Sequence, residues 1–286
     1  MTAPATRTEL RPDGVAVLTF DQPGSKANVL SPVLWTEFGA ALDAARALPD
    51  LQGLVLASAK PGIFIAGADL NIIGAATAPN DPAVRDLIQL GLHVLDKLES
   101  FPVPTCAAID GAALGGGLEV ALACDFRIAG PHPKCSLGLP ETTLGLIPGW
   151  GGTQRLPRIV GLPRAAEMLS TAKPIDASAA VDAGLVDGLF DAERLIDSAA
   201  DIVLTRPYPL RRDRKRQPVP DVLRQQFQPA VADRPTAVRT ALLVMMQGAE
   251  LPLPDAIAVE TRAFLQLAGS PESKAAIEAF FARKKA

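Results

Sequence analysis

Two glutamates and a run of glycines are the residues of this 286-residue chain best suited to do chemistry. In Asp110–Asp125 (DGAALGGGLEVALACD) a strand pattern runs into Gly111, Gly115, Gly116 and Gly117, and a helical pattern carrying Glu119 follows. Backbone N–H groups at a helix start lack an intrahelical acceptor and sit in a partial positive field, so this loop can hold an anion or a developing oxyanion. Glu119 falls in the first turn of that helix, where the dipole favours a negative charge. Glu141 follows Pro140 after the run Cys135–Leu139, and Gly130–Lys134 (GPHPK) reads as a reversing turn that can return Glu141 to the level of Glu119. Two carboxyls facing one reacting group divide acid and base roles, because each discourages the other from ionising and burial raises one pKa. On spacing alone the pair can equally be two unrelated surface glutamates, and the glycines can serve close packing only.

Two further turns are rich in small residues. Phe64–Asp69 (FIAGAD) follows an apolar strand pattern, and its Ala66–Ala68 stretch lets a ligand lie against the main chain, with the Ala68 N–H as a candidate donor. Gly145–Gly152 (GLIPGWGG) follows Glu141. A dinucleotide fingerprint competes for the first glycine loop. Gly115–Val120, however, ends in valine where that fingerprint needs a small residue, and it lies deep in the chain. With His93 and His132 as the only histidines and no CxxC among Cys106, Cys124 and Cys135, ligands for a His/Cys metal site are too few. No GxSxG elbow is present, so a hydrolase triad is not expected.

The elements that must position these residues alternate short β-type runs with longer helical ones, the pattern of crossover units around a largely parallel sheet. Val15–Phe20, Gly53–Ser58 and Thr105–Ile109 read as strands. Ser31-Pro32 and Asp81-Pro82 each supply an N-cap followed by a proline at the first helical position. The first of these helices shows Leu34, Phe38, Leu42 and Ala45 on one face and stops near Pro49; the second runs to about Ser100. After about Asp191 no strand pattern survives, and Asp255–Leu267 and Pro271–Lys285 read as helices, the latter with Ile277, Phe280 and Phe281 on one face. The expected organisation is a core over residues 1–190 and a helical region over 191–286.

Composition narrows the function classes. Hydrophobic residues make up 48% and charged residues 21%, which suits a globular chain, and no apolar run approaches the ~20 residues that span a bilayer. With 28 Lys+Arg against 31 Asp+Glu the formal charge is −3, so the chain lacks the general positive field of a nucleic-acid binder. The local basic run Arg211–Arg216 (RRDRKR) reads as a solvated face or a contact for phosphates. Met1–Asp13 lacks the apolar stretch of a secretory signal and the three cysteines cannot all pair, so a reducing cytoplasm is expected.

Four pieces together resemble the crotonase, or enoyl-CoA hydratase/isomerase, superfamily. They are FIAGADL (Phe64–Leu70), DGAALGGGLEVALACD (Asp110–Asp125), LGLPETTLGLIPGWGGTQRLPRIVG (Leu137–Gly161) and AVDAGLVD (Ala180–Asp187), matching in order and mutual spacing. The interval from Glu119 to Glu141, 141 − 119 = 22, and the tail Glu260–Phe281 resemble the hydratase part of the multifunctional fatty-acid oxidation alpha subunit. There the tail leads on to a dehydrogenase domain, which is not expected here. The resemblance implies an α/β fold, a spiral of repeated ββα units, with a C-terminal helical region that builds homotrimers or hexamers and covers the active site. It implies an enoyl-CoA hydratase of β-oxidation, with isomerase, epimerase or a non-catalytic CoA-binding subunit as alternatives. Coenzyme A would be part of the substrate, with no separate cofactor and no metal, and a thiolase or 3-hydroxyacyl-CoA dehydrogenase would be a partner.

Residue by residue, Ala68 and Gly116 match the oxyanion-hole positions, and Glu119 and Glu141 match the catalytic carboxylates. Ala66, Gly67, Asp69, Gly115, Gly117, Pro140, Gly149 and Trp150 are the implied substrate contacts, and Ser25–Asn28 loosely matches the segment that meets the nucleotide end of coenzyme A. Trp150 departs from the family pattern, which has alanine or serine there, so its indole either narrows the acyl pocket or packs behind it.

Overall fold

Short apolar runs bounded by turn residues form the inner strands, and amphipathic runs, some of them capped by a side chain, form most of the helices. The computed structural model describes residues 3–206, 218–223, 225 and 234–285; the basic run Arg211–Arg216 lies outside them. Its strands are β1 (Thr6–Leu10), β2 (Val15–Phe20), β3 (Gly53–Ser58), β4 (Gly62–Ile65), β5 (Thr105–Ile109), β6 (Gly111–Leu114), β7 (Phe126–Ala129), β8 (Ser136–Gly138) and β9 (Ile175–Asp176). The helices within and around the sheets are α1 (Pro32–Arg46), α2 (Leu70–Gly74), α3 (Pro82–Glu99), α4 (Gly116–Ala123), α5 (Gly152–Arg155), α6 (Pro157–Val160), α7 (Leu162–Thr171), α8 (Ala177–Asp182) and α9 (Leu195–Thr205). Three more follow: α10 (Thr236–Ala249), α11 (Leu253–Leu267) and α12 (Pro271–Lys285).

From β3 to β8 successive strands are dealt alternately to two sheets. One has the order β1-β2-β3-β5-β7 and the other β4-β6-β8-β9. Strands β2, β3, β5 and β7 run parallel to their neighbours, and β1 joins β2 antiparallel. Each pair such as β3β4 or β5β6 is followed by helix, which is the expected α/β spiral of ββα units with helices after it in the chain. The expected β2, β3 and β5 appear with the expected bounds. Ser31 caps α1 by accepting from the Leu34 N–H, and Asp81 accepts from the Ala83 N–H at the head of α3. Helix α11 starts two residues before the expected Asp255, because Pro254 in a first turn loses no hydrogen bond.

The described residues form two compact units. The first draws on Met1–Ala68, Leu90–Leu137 and Ile175–Asp213. There α9 lays Leu195, Ala199, Ala200, Ile202 and Val203 on Val15, Val55, Cys106, Ala108, Phe126 and Ile128 of the five-stranded sheet. Gly53 permits this contact, since a Cβ there would come 2.5 Å from a Val203 methyl. Helix α1 buries Leu34, Trp35, Phe38 and Leu42, and Phe38 meets Phe20 of β2 edge-on at 4.9 Å. The second unit draws on Asp69–Gln89, Gly138–Pro174 and Arg214–Ala286. In it α10 and α11 pack on each other and on α5, while α12 packs on α2 and on the 3₁₀ turn Glu141–Leu144. Among the described residues no helix is long and apolar enough to cross a membrane.

Candidate active site

In the first unit, two adjacent parallel strands end side by side. β4 pairs with β6 in parallel, Gly62 opposite Gly111 and Ile65 opposite Ala113, so the turns that follow them emerge at the same edge. After β4 the chain passes through Ala66, Gly67 and Ala68. The Ala66 N–H donates to the Asn28 carbonyl at 2.9 Å, and the Gly67 carbonyl accepts from the Leu30 N–H at 2.9 Å. Gly67 has φ +117°, and a Cβ on it would lie 3.2 Å from the Leu114 carbonyl oxygen at the end of β6. After β6, Gly115 (φ 53°) turns the chain into α4. A Cβ on Gly117 would stand 2.1 Å from the Ile65 carbonyl oxygen, so the two turns are in backbone contact.

This contact brings Ala66–Ala68 and Gly115–Gly117 together. Gly116, as the first residue of α4, has an N–H with no acceptor inside the helix. Among the described residues no hydrogen bond from the Ala68 N–H is found either. Glu119 follows in the first turn of α4; it is 1% exposed, and its N–H donates to the Gly115 carbonyl at 3.0 Å. Every residue of α4 is buried, and Glu119 is the one polar side chain among them, placed near the helix start where the dipole favours a negative charge.

Asn28 supports the arrangement and was not legible as a support from its sequence context. Its buried amide donates to the Phe64 carbonyl at 3.0 Å and to Ser58 Oγ at 3.0 Å, and its Oδ1 accepts from the Gln22 N–H at 3.0 Å. It therefore ties the ends of β3 and β4 to the segment carrying Leu30. Ser25, in the same expected coenzyme A segment, closes a local turn by bonding the Ala27 carbonyl.

The second unit holds the other expected residues. Pro140 precedes the 3₁₀ turn Glu141–Leu144, and its carbonyl accepts from Thr143 N–H and Oγ1 at 3.0 and 2.7 Å. Gly145, at φ 67°, ends that turn, and a Cβ there would strike the Ser273 backbone at 2.9 Å. Part of Glu141 reaches the surface, but its Oε2 is enclosed and has no hydrogen-bond partner among the described residues. Burial, reinforced by the charge of Glu260, pushes the Glu141 carboxyl up to about 8. Asp69 is engaged as the N-cap of α2, accepting from the Asn71 N–H and side-chain amide at 3.0 and 2.9 Å.

Trp150 is 2% exposed, and its indole N–H donates to the Ile88 carbonyl at 3.1 Å. Its own carbonyl accepts from Arg155 Nη1. Gly149 keeps the space beside it tight, since a Cβ would lie 2.9 Å from Ile88 Cδ1 and 3.0 Å from the Phe264 ring. Trp150→Phe keeps the aromatic packing and removes the bond to Ile88, so it should lower the unfolding free energy by about 1 kcal/mol in a urea titration. An unchanged midpoint would show that the indole N–H contributes nothing.

Glu260 of α11 is a buried carboxyl in the same unit that the sequence reading missed. Ala256, Glu260, Phe264 and Leu267 share one helical face, and all four are buried. Among the described residues no group of three or more His, Cys, Asp or Glu side chains is arranged to hold a metal ion.

The enoyl-CoA hydratase/isomerase family matches residues 11–205. The chain is similar to an enoyl-CoA hydratase from Bacillus anthracis, at 30% identity over 98% of this chain and 96% of that one, with a TM-score of 0.64. It is similar to an enoyl-CoA hydratase from Geobacillus kaustophilus at 29% identity, over 99% and 96% of the two chains, also with a TM-score of 0.64. A human mitochondrial delta3-delta2-enoyl-CoA isomerase, 22% identical over 98% of each chain, shares the fold with a TM-score of 0.74.

Proposed function

This chain belongs to the enoyl-CoA hydratase/isomerase family, and from that premise we propose that it adds water across a trans-2-enoyl-CoA thioester to give a 3-hydroxyacyl-CoA. The observation that carries the reading is the pair of strand ends in the first unit, with the Ala68 and Gly116 amides free to donate and Glu119 one turn into α4. Two donors aimed at the thioester oxygen stabilise the enolate that forms as C3 is attacked, and one such donor is worth about 10²–10³ in rate.

Glu119, ionised near the helix start, takes a proton from the attacking water while the oxygen bonds to C3. Glu141 gives its proton to C2 as the enolate collapses to the thioester carbonyl. The net change is one water added. Glu119 leaves protonated and Glu141 ionised, and a proton returned through solvent restores both. A Glu141 held in its acid form by burial suits the donor role. Having both carboxylates supports hydration over simple double-bond isomerisation, where a single proton shuttle suffices. Ala66, Gly67, Gly115 and Gly117 would line the thioester path, and Pro140, Gly149 and Trp150 would shape the surroundings of the second carboxyl.

Finer parts of the same proposal are a role in β-oxidation and closeness to the hydratase part of the multifunctional alpha subunit, supported by the interval of 141 − 119 = 22 residues. Assembly through the region 191–286 into a trimer or hexamer, a cytoplasmic setting, and a thiolase or 3-hydroxyacyl-CoA dehydrogenase as partner complete it. Loss of the conjugated enoyl absorbance of crotonyl-CoA tests the activity, and identification of the product from a 3-enoyl-CoA separates hydration from isomerisation.

The raised carboxyls make a pH prediction with a definite sign. In the alkaline range kcat/KM should fall as Glu141 gives up its proton, with a limb centred near pH 8. Stability should follow the same direction. A carboxyl raised from about 4.5 to about 8 on folding binds its proton more tightly in the native state, so its contribution is complete below the unfolded value and is lost as pH rises through about 8. An activity profile level up to pH 10 would contradict the donor assignment.

A further inference from the structure

Asn28 is fully buried in the first unit (0% exposed), and its side chain is spent on protein partners. The amide nitrogen donates to the Phe64 carbonyl and to Ser58 Oγ at 3.0 Å each, with the Phe20 carbonyl at 3.4 Å, and Oδ1 accepts from the Gln22 N–H at 3.0 Å. Gln22 closes the loop from its own side, its Oε1 accepting from the Val29 N–H at 2.9 Å. A side-chain amide has two donor hydrogens, and both find acceptors inside the protein, so neither is left for a ligand. Residues 28–30 are thereby seated on the ends of β2, β3 and β4.

That segment holds the turn after β4 through its main chain. The Asn28 carbonyl accepts from the Ala66 N–H, and the Leu30 N–H donates to the Gly67 carbonyl, each at 2.9 Å. The second bond sets a direction. The Gly67 carbonyl and the Ala68 N–H are opposite ends of one planar trans peptide group, so they point opposite ways. Tying the carbonyl to Leu30 turns the Ala68 N–H away from residues 28–30. Gly67 cannot impose this orientation by itself, because a glycine leaves its flanking peptide groups wide freedom to rotate. The hydrogen bond has to do it, and that bond is only as well placed as the segment that carries Leu30.

We infer that Asn28 is a positioning residue for the first oxyanion donor: its buried amide seats residues 28–30 on the strand ends, and through Leu30 and Gly67 this sets the direction of the Ala68 N–H. The inference rests on the reading of Ala68 as a donor to the thioester oxygen. It assigns Asn28 to the oxyanion end of the site rather than to the nucleotide end of coenzyme A.

The test compares the parent with Asn28→Ala, with Ser58→Ala, which takes away one acceptor of the Asn28 amide, and with Val55→Ala, a truncation in the core cluster under α9 that lowers stability away from the turn. Three quantities are read: kcat and KM for crotonyl-CoA, the infrared carbonyl band of a bound saturated acyl-CoA labelled at the thioester carbon, and hydrogen exchange at the Leu30 amide. Asn28→Ala should lower kcat by about 10–10²-fold, less than the full worth of one donor because the Gly116 amide survives, with KM within about threefold. The carbonyl band, moved to lower frequency on the parent by the two donors, should return part of the way toward its value in water, and the Leu30 amide should exchange faster. Ser58→Ala should show the same three changes to a smaller extent, and it serves if Asn28→Ala does not fold. Val55→Ala should lose stability and show none of them. A folded Asn28→Ala or Ser58→Ala with the parental band and kcat overturns the inference, as does a rise in KM alone, which would mark Asn28 as a support for coenzyme A binding. Should the parent neither hydrate crotonyl-CoA nor shift the band, it is the functional reading that fails, while Leu30 exchange still reports whether Asn28 holds the bond to Gly67.

Discussion

Glu119→Gln should cut kcat for enoyl-CoA hydration by about 10²–10⁴-fold, the usual worth of a positioned general base, while the Kd for a non-reacting CoA thioester stays within about threefold. The substitution keeps the size and hydrogen-bonding reach of the side chain, and α4 retains its buried packing. What it removes is the capacity to accept the proton of the attacking water. The oxyanion donors are main-chain groups and survive, so residual turnover well above the uncatalysed rate is expected. Near-parental hydration by this variant would refute the assignment of the base.

Gly117→Ala should damage both stability and rate. The added methyl would stand 2.1 Å from the Ile65 carbonyl oxygen and 2.8 Å from its carbon, and neither is the end of a flexible side chain. Relief requires α4 to lift away from the end of β4, at an expected cost of about 1–3 kcal/mol by thermal or urea unfolding. The same shift separates the Gly116 amide from the Ala68 amide, and a misplacement of about 1 Å at a reacting group costs about 10²-fold in rate. The expected result is a folded but less stable protein with kcat, more than KM, reduced. A variant of unaltered stability and rate would mean that the two turns do not depend on this contact.

Local chemistry was the part of the fold most open to reading. Ser31-Pro32 and Asp81-Pro82 specify helix starts by themselves, because the cap oxygen and the fixed proline φ act within one turn. Gly53–Ser58 was legible because a strand buried along its length is a continuous apolar run. Strands β4 and β6 were not resolved as strands from sequence. GIFI and GAAL are four residues each, too short for periodicity, and they exist because parallel pairing across the second sheet holds them.

For the candidate site, the glycine loop and both expected glutamates stood out as residue types in a pattern. Gly117 was legible as a small residue, but the Ile65 carbonyl that demands it belongs to the parallel strand β4, 117 − 65 = 52 residues earlier. Asn28 and Glu260 escaped for the same reason. A polar residue amid apolar neighbours reads as an exposed position until the partners that satisfy it are known, and those partners come from 36 residues away for Asn28 and Phe64 and 109 for Glu260 and Gly151.

The most direct measurement of the central claim is isotope incorporation from crotonyl-CoA in heavy-oxygen, deuterated water. The account predicts a 3-hydroxybutyryl-CoA carrying the solvent oxygen at C3 and one deuterium at C2, formed by the parent and suppressed in Glu119→Gln. Deuterium entering the substrate without oxygen transfer, or no reaction by a folded parent, would contradict it.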